Sequence, residues 1–505
     1  MAIGVIHVSA CLLKGLSFLS TCLAAIILYR LWLHPLAHIP GPFLARATGL
    51  WRTWRYVTGN WHKDIVALHD HYGKAVRVSP SEVSVVDEET MKQILSHRHN
   101  TPKSWWYDVW VVPGGTPGLF AVRDRHVHGF LRKRVSHMFS VTSLLTMEQY
   151  IHSCMDTLIG KMKKFEANRQ IVDMANWTNA FAFDVIGELG YGEAFGHMET
   201  ESDVLNLRAT VLQGFKTFSI IGYLWGQWRL VLNPVVSTFG PSPQTQFSDY
   251  TVGRLQARKS DPKQRRPDLL QHWLQMKRQD GTPAHDDEVV TEMFSIIGEL
   301  VSPTSHLAPP VYVRLQKEID VAYAGFGNND SRIMYNVTQN LSFLQAVIKE
   351  SARLWPSIVW QLPRDSPQGG ITVDGKFFIP EGYQISISPM AHNRDPEVYG
   401  SDAKEFRPER WLEDQANARR MESLSATFGG NGPRACLGKN LALMEVQLFL
   451  ARFMRNFDFE IVDKERPWRV VAAWFASQNE MYFRLKRRDF DVSESEVQAA
   501  DLTET

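Results

Sequence analysis

The residues best placed to do chemistry lie in TFGGNGPRACLGKNLALMEV (Thr427–Val446), around Cys436. Three glycines and a proline precede the cysteine, and Gly438 follows it. From Lys439 onward the sequence reads as a helix, with apolar Leu441, Leu443, Met444 and Leu448. A thiol just ahead of a helix sits near the positive end of the helix dipole, which lowers its pKa and favours the thiolate. Glycines let the backbone approach a bulky planar partner. Arg434, two residues earlier, can offer a cation to a carboxylate. The chain has only four cysteines, Cys11, Cys22, Cys154 and Cys436, at spacings that fit no zinc site, iron–sulfur cluster or redox pair. A lone thiolate suits the single axial position of a haem iron. A buried structural cysteine is the commoner fate of the residue type, but the glycine and arginine spacing argues against it here.

GNGPRACLG resembles the haem-binding loop of the cytochrome P450 superfamily, F-x-x-G-x-R-x-C-x-G, with Gly432, Arg434, Cys436 and Gly438 matching. Phe428 stands eight residues before the cysteine instead of seven, and Gly429 takes the usual place; a one-residue bulge before Gly432 reconciles the two. The resemblance implies haem b, its iron bound by Cys436. It extends to KESARLWP, where Glu350 and Arg353 are one helical turn apart, and to FRPERWL, which carries Arg410. Alone, such an i, i+3 pair is worth about 0.5 kcal/mol. The resemblance makes Glu350, Arg353 and Arg410 one buried ion network that serves core assembly and haem retention. It also makes His128 and Arg132, in HGFLRKRVSHMFS, and Arg364, in LPRDSP, contacts of the haem propionates.

One expected motif is missing. The family's long central helix carries [AG]-G-x-[DE]-T-[TS], whose acid and alcohol deliver protons to iron-bound dioxygen. Here the stretch is EVVTEMFSIIGELVSPTSHLAPPVYVRLQKEI (Glu288–Ile319), and no register aligns it. Glu299 and Thr304 are the nearest catalytic candidates. Pro303, Pro309 and Pro310 would break a helix interior at about 3 kcal/mol each. Either residues of Glu299–Val311 were lost by faulty assembly or decay of the coding sequence, or the chemistry needs no proton relay, as in isomerisation or dehydration.

These residues must be held by a large scaffold. The chain has 505 residues, 44% hydrophobic and 22% charged, which excludes a disordered protein. Its charge is nearly balanced, 55 Lys+Arg against 54 Asp+Glu, so there is no global basic footprint for nucleic acid. Helical patterns dominate from Trp61 to Gln345, with a helix ending at Gly73. Short strands are expected in AVRVSPSEVSVVD and in GGITVDGKFFIPEGYQISIS, with a turn at Asp374-Gly375, and a hairpin in WRVVAAWFASQNEMYFRL. Arg254–Pro267 reads as a charged loop, and Asp489–Thr505 as a flexible acidic tail.

The N-terminus is membrane-like. Ala10–Leu33 is mostly apolar and long enough to span a bilayer. His34, Arg46, Arg52 and Arg55, with Trp32 and Trp51, form a basic and aromatic flank that puts the following chain in the cytoplasm. HPLAHIPGPF (His34–Phe43) is a proline-stiffened lead. The N-x-S/T sequons at Asn176, Asn329, Asn336 and Asn340 would go unused on a cytoplasmic body.

The expectation is therefore a mainly α fold with small β-sheets, the cytochrome P450 fold, behind an N-terminal transmembrane helix. It divides into an anchor (1–35), a haem-thiolate domain (36–488) and the tail (489–505). The resemblance implies a single-pass monooxygenase of the endoplasmic reticulum membrane, of the fungal secondary-metabolism type, that oxidises a lipophilic small molecule. Without a nicotinamide or flavin fingerprint, NADPH electrons must come through a separate reductase. A basic face including Arg132, Lys133 and Lys439 could receive it. The alternative is the same fold without net oxygenation, as an isomerase, a dehydratase or an impaired enzyme.

Overall fold

The apolar N-terminal run forms helix α1 (Ala2–Leu28), prolonged by a π-helical turn over Tyr29–Leu33. The computed structural model describes residues 2–96, 101–111, 117–223, 243–261, 266–297, 309–324 and 332–488. Leu12–Leu33 is long and apolar enough to cross a membrane, and its side chains point outward, as at Phe18, 73% exposed. An apolar helix with no core of its own to bury in is suited to lipid.

The lead after α1 is not a loose spacer. Leu36 and Ile39 are fully buried, and Pro40 accepts a backbone hydrogen bond from Arg77 at 2.7 Å. Gly41 passes so close to this strand that a Cβ would lie 2.4 Å from the Arg77 carbonyl oxygen. Next come α2 (Phe43–Ala47), α3 (Leu50–Val57) and α4 (Trp61–Tyr72). Gly73, at φ +88°, ends α4 as expected. The basic flank is corrected in part. Arg52 is buried against Glu82, with its guanidinium 3.6 Å over the Tyr223 ring, and Arg55 pairs with Asp64. α3 turns these charges toward the body, so they are not displayed to a membrane.

Strand β1 (Ala75–Ser79) pairs antiparallel with β2 (Glu82–Val85), followed by α5 (Glu88–Leu95) and α6 (Arg125–Val135). The remaining strands are β3 (Ile171–Asp173), β4 (Arg364–Asp365), β5 (Ile371–Val373), β6 (Phe377–Ile379), β7 (Gln384–Ile387), β8 (Phe457–Ile461), β9 (Arg469–Ala473), β10 (Phe475–Asn479) and β11 (Tyr482–Arg487). One sheet runs β1-β2-β7-β4, with β2 parallel to β7. β5 and β6 form the expected hairpin, and Asp374 and Gly375 at its turn both have positive φ. The predicted hairpin near Trp468 is shorter than the pattern suggests. β9 and β10 pair around Trp474, and β11 leaves to join β8 and β3. Glu480, at φ +60°, redirects the chain between them.

One further expectation changes. The Pro243–Ser260 helix runs through the first half of the supposed Arg254–Pro267 loop, and Arg258 meets Asp268 at 2.8 Å in a buried ion pair. The charge that suggested a loop is answered by its own counter-ion. In the central segment the described residues form the helices Asp286–Ile297 and Pro309–Ala324. Glu299, Pro303 and Thr304 lie outside the described residues, as does the tail.

The core packs the Glu148–Ala167, Met174–Gly190 and Lys439–Asn456 helices, with Met155, Phe183, Met444 and Met454 fully buried. Cys154 belongs to it. Burial pushes its thiol well up, as suits an inert structural cysteine.

Candidate functional site

Cys436 sits two residues before Gly438, the N-cap of the Lys439–Asn456 helix. Its N–H donates to the Phe428 carbonyl at 2.7 Å, which closes the preceding loop. The register problem is resolved inside that loop. Phe428, Gly429 and Gly430 have φ of +58°, +76° and +77°, so three successive residues turn left-handed and take up the extra position. Gly432 has a different reason. A Cβ there would lie 1.7 Å from the Leu95 carbonyl oxygen, so α5 and the cysteine loop can touch only over a glycine.

Four of the sequence-predicted residues converge beside this loop. His128 and Arg132 share one face of α6, and Arg132 donates to the Ala435 carbonyl at 2.7 Å. Arg434 donates to the carbonyls of Val122 and Arg123 at 2.9 and 2.8 Å. Arg364, on β4, is buried. A fifth member was not foreseen. Lys103 forms an isolated bridge with Arg364, donates to the Phe120 carbonyl, and lies 4.5 Å from the Tyr107 ring centre. Its only signal in the sequence is a lone cation inside the aromatic run KSWWYDVW.

The group is a buried concentration of positive charge. Burial pushes the His128 imidazole down to about 3, and Arg434, Lys103, Arg132 and Arg364 add to the shift. Burial holds Lys103 well below its ordinary value, again helped by Arg364, Arg434 and Arg132. Hydrogen bonds to carbonyls satisfy donors but do not neutralise charge. Arg364 Nε and Nη1 and Arg434 Nε are buried without a hydrogen-bond partner among the described residues. Such orphaned, charged donors are costly unless an anion meets them. The donor set fits a haem, whose two carboxylates would satisfy these cations, with the Cys436 thiol nearby as the residue that would bind its iron.

The second predicted constellation is assembled and buried. Glu350 accepts from Arg353 Nε and Nη2 at 2.8 Å each, from Arg410 Nε and Trp411 Nε1 at 2.9 Å, and from the Arg407 N–H at 2.9 Å. Burial alone raises its carboxyl, but Arg353, the Arg407 N–H and Arg410 outweigh that and keep it below the usual range. Asp402, which sequence reasoning missed, completes the balance by pairing with Arg410 at 2.9 Å. The network reaches the cysteine loop through the Ala352 carbonyl, which accepts from Thr427 Oγ1 at 3.0 Å. This pair on one helix face is thus a fully desolvated, five-donor acceptor site.

An aromatic wall borders the cations. Trp106 stacks on Trp474 with ring centres 5.1 Å apart, and Trp110 lies 5.0 Å from Phe215 and 5.5 Å from Phe120. Phe120 joins wall to cluster, since Lys103 Nζ is 4.7 Å from its ring centre. The Trp105–Trp110 segment and the turn between β9 and β10 are thereby in contact. Of the basic neighbours, Arg134 is removed from the surface by ion pairs with Glu288 and Glu292.

The family model described as cytochrome P450 matches residues 40–483. The chain is similar to a cytochrome P450 monooxygenase, cicH, of Emericella nidulans, 31% identical over 94% of this chain and 98% of the relative. It is 30% identical to the cytochrome P450 monooxygenase gsfF of Penicillium aethiopicum, over 90% of this chain and 94% of the relative. Pisatin demethylase of Fusarium vanettenii is 28% identical, over 89% and 90% of the two chains.

Proposed function

The chain belongs to the cytochrome P450 family and is a monooxygenase of that kind, and from this premise we propose that it is membrane-anchored and oxidises a lipophilic small molecule in fungal secondary metabolism. Family membership implies a haem-thiolate iron. In the proposed assignment Cys436 is the iron ligand, and Arg364, Arg434, Arg132, His128 and Lys103 hold the haem carboxylates. The observation that carries it is the orphaned cationic cluster placed beside the cysteine loop.

When bound, the haem supplies reductive activation of dioxygen, with thiolate electron donation favouring O–O cleavage. The chain supplies the rest. Arg132 and the Phe428 carbonyl hold the two polar ends of the peptide group that precedes Cys436, its Ala435 carbonyl and its Cys436 N–H. Glu350, Arg353 and Arg410 brace the Ser342–Leu354 helix, whose Ala352 carbonyl holds the cysteine loop at Thr427. Trp106, Trp110, Phe120, Phe215 and Trp474 offer an apolar wall that suits a lipophilic substrate. NADPH electrons are assigned to a separate reductase, received at Lys133 and Lys439. Helix α1 is assigned as a single-pass anchor in the endoplasmic reticulum, with the body in the cytoplasm.

The reduced carbon monoxide complex tests this. The expected result is a red-shifted, thiolate-type Soret band, absent in Cys436→Ser. An unchanged spectrum in that variant would overturn the ligand assignment. The unaligned Glu299–Val311 sequence favours a second reading, an enzyme of this fold without net oxygenation. Single-turnover oxygen incorporation with a reductase present decides between the two.

A further inference from the structure

Three arginines gather where the membrane helix meets the body, and no acidic group among the described residues pairs with them. Arg77 is fully buried, and its guanidinium donates only to carbonyls, those of Arg30 at 2.9 Å, Leu36 at 3.3 Å and Pro80 at 2.8 Å. Arg46 Nη2 donates to the carbonyls of Leu31 and Ala37 at 2.8 and 3.1 Å. Arg30 Nη1 donates to the Ala47 carbonyl at 2.9 Å. None of the three has a carboxylate in ion-pair reach among the described residues. Burial, then the charges of Arg46 and Arg30, lower Arg77 to about 10. Carbonyl oxygens at the C-terminal end of α1 offset part of this charge, since that end of a helix is negative. Three full positive charges still exceed it. Arg46 Nε is also buried and unpartnered.

The surroundings say what kind of anion belongs there. The cluster directly follows the apolar span that ends at Leu33. Exposed apolar side chains stand on the same segments: Trp32 at 64% and Leu33 at 77% just after Arg30, Phe43 at 60% on the helix of Arg46, and Leu50, Trp54 and Val57 on one face of α3. A soluble anion would find little reason for such exposed apolar side chains. A lipid headgroup would, because its phosphate lies level with the cations while its chains lie against these side chains. Arg30 and Arg46 are only half-buried and keep N–H groups to spare for a phosphate.

We propose that Arg30 and Arg46, backed by the buried charge of Arg77, form a binding site for the phosphate of an anionic phospholipid, which fixes the body against the membrane surface. The site rests on the reading of α1 as a membrane anchor.

The full chain, reconstituted in bilayer discs of phosphatidylcholine with a minor share of phosphatidic acid, is re-extracted in mild detergent, and co-purifying lipid is counted by mass spectrometry. The expected result is enrichment of phosphatidic acid over phosphatidylcholine, falling roughly fivefold for each arginine removed, in Arg30→Gln and then Arg30→Gln/Arg46→Gln. Arg46→Lys, which keeps the charge, retains most of it. Millimolar inorganic phosphate leaves the enrichment unchanged. Recovery of the two lipids in their input ratio by the unaltered chain refutes the site without any variant. Displacement by inorganic phosphate refutes its lipid character. Alkaline carbonate extraction of the same preparation separates the premises. A chain retained in the bilayer without lipid selection loses only this site, whereas a chain released by carbonate loses both the site and the anchor.

Discussion

Arg364→Met separates two consequences of the cationic cluster that a merely structural arginine would not separate. Arg364 is buried, two of its three nitrogens lack partners, and burial lowers its pKa. Its charge is therefore a cost to the protein without haem and a gain with it. A hydrogen bond to a charged group contributes about 1.5–3 kcal/mol net. Losing two donors to one carboxylate is set near the upper end, about 3 kcal/mol, since the two are not additive. At about 1.4 kcal/mol per decade, haem affinity falls on the order of 10²-fold. Methionine keeps most of the length and packing, and it removes one like charge from beside Lys103 and Arg434. The haem-free variant should consequently melt at the same temperature as the unaltered chain or a degree or two above it. Haem titration by Soret absorbance reads the first effect, and thermal unfolding of the haem-free protein reads the second. Affinity within about threefold of the original, or a haem-free protein that melts several degrees lower, would refute the assignment of Arg364 as a carboxylate ligand.

The buried network makes a different prediction. Glu350→Ala strips Arg353 and Arg410 of their shared counter-ion and should cost about 3–5 kcal/mol in denaturant unfolding, far above a surface pair. Gly432→Ala drives a methyl into the Leu95 carbonyl, so it should reduce haem retention while Gly129→Ala, whose Cβ would meet nothing within 4 Å, should not. Burial raises the Glu445 carboxyl to about 8, and the unfolded value is about 4.5. The folded state then binds the extra proton between those values, so stability is full below pH 4.5 and falls as pH rises toward 8, by up to about 1.4 kcal/mol per unit. Glu445→Gln should flatten that part of the stability profile, and an unaltered slope would show that Glu445 ionises normally.

The parts that depend only on near neighbours were legible in the chain alone. A cysteine among glycines ahead of an amphipathic helix needs only local backbone geometry, and the loop, the helix and the β5–β6 turn formed where the residues place them. Glu350 and Arg353 were legible as a pair because one helical turn brings them together, but their energy was not. Only the packing of Trp411, Arg410 and the Arg407 N–H around them turned an exposed pair worth tenths of a kcal/mol into a desolvated one. Charge in the sequence was a poor guide for the same reason. Arg52, Arg134 and Arg258 read as surface cations, yet each is buried against an acid brought from elsewhere in the chain. Lys103 was invisible because it joins the cluster through residues 261 and 331 positions away, Arg364 and Arg434. Local pattern reports which backbone a segment prefers. The dielectric and the counter-charges around a side chain exist only once distant segments have met, and those decide where this protein can hold an anion.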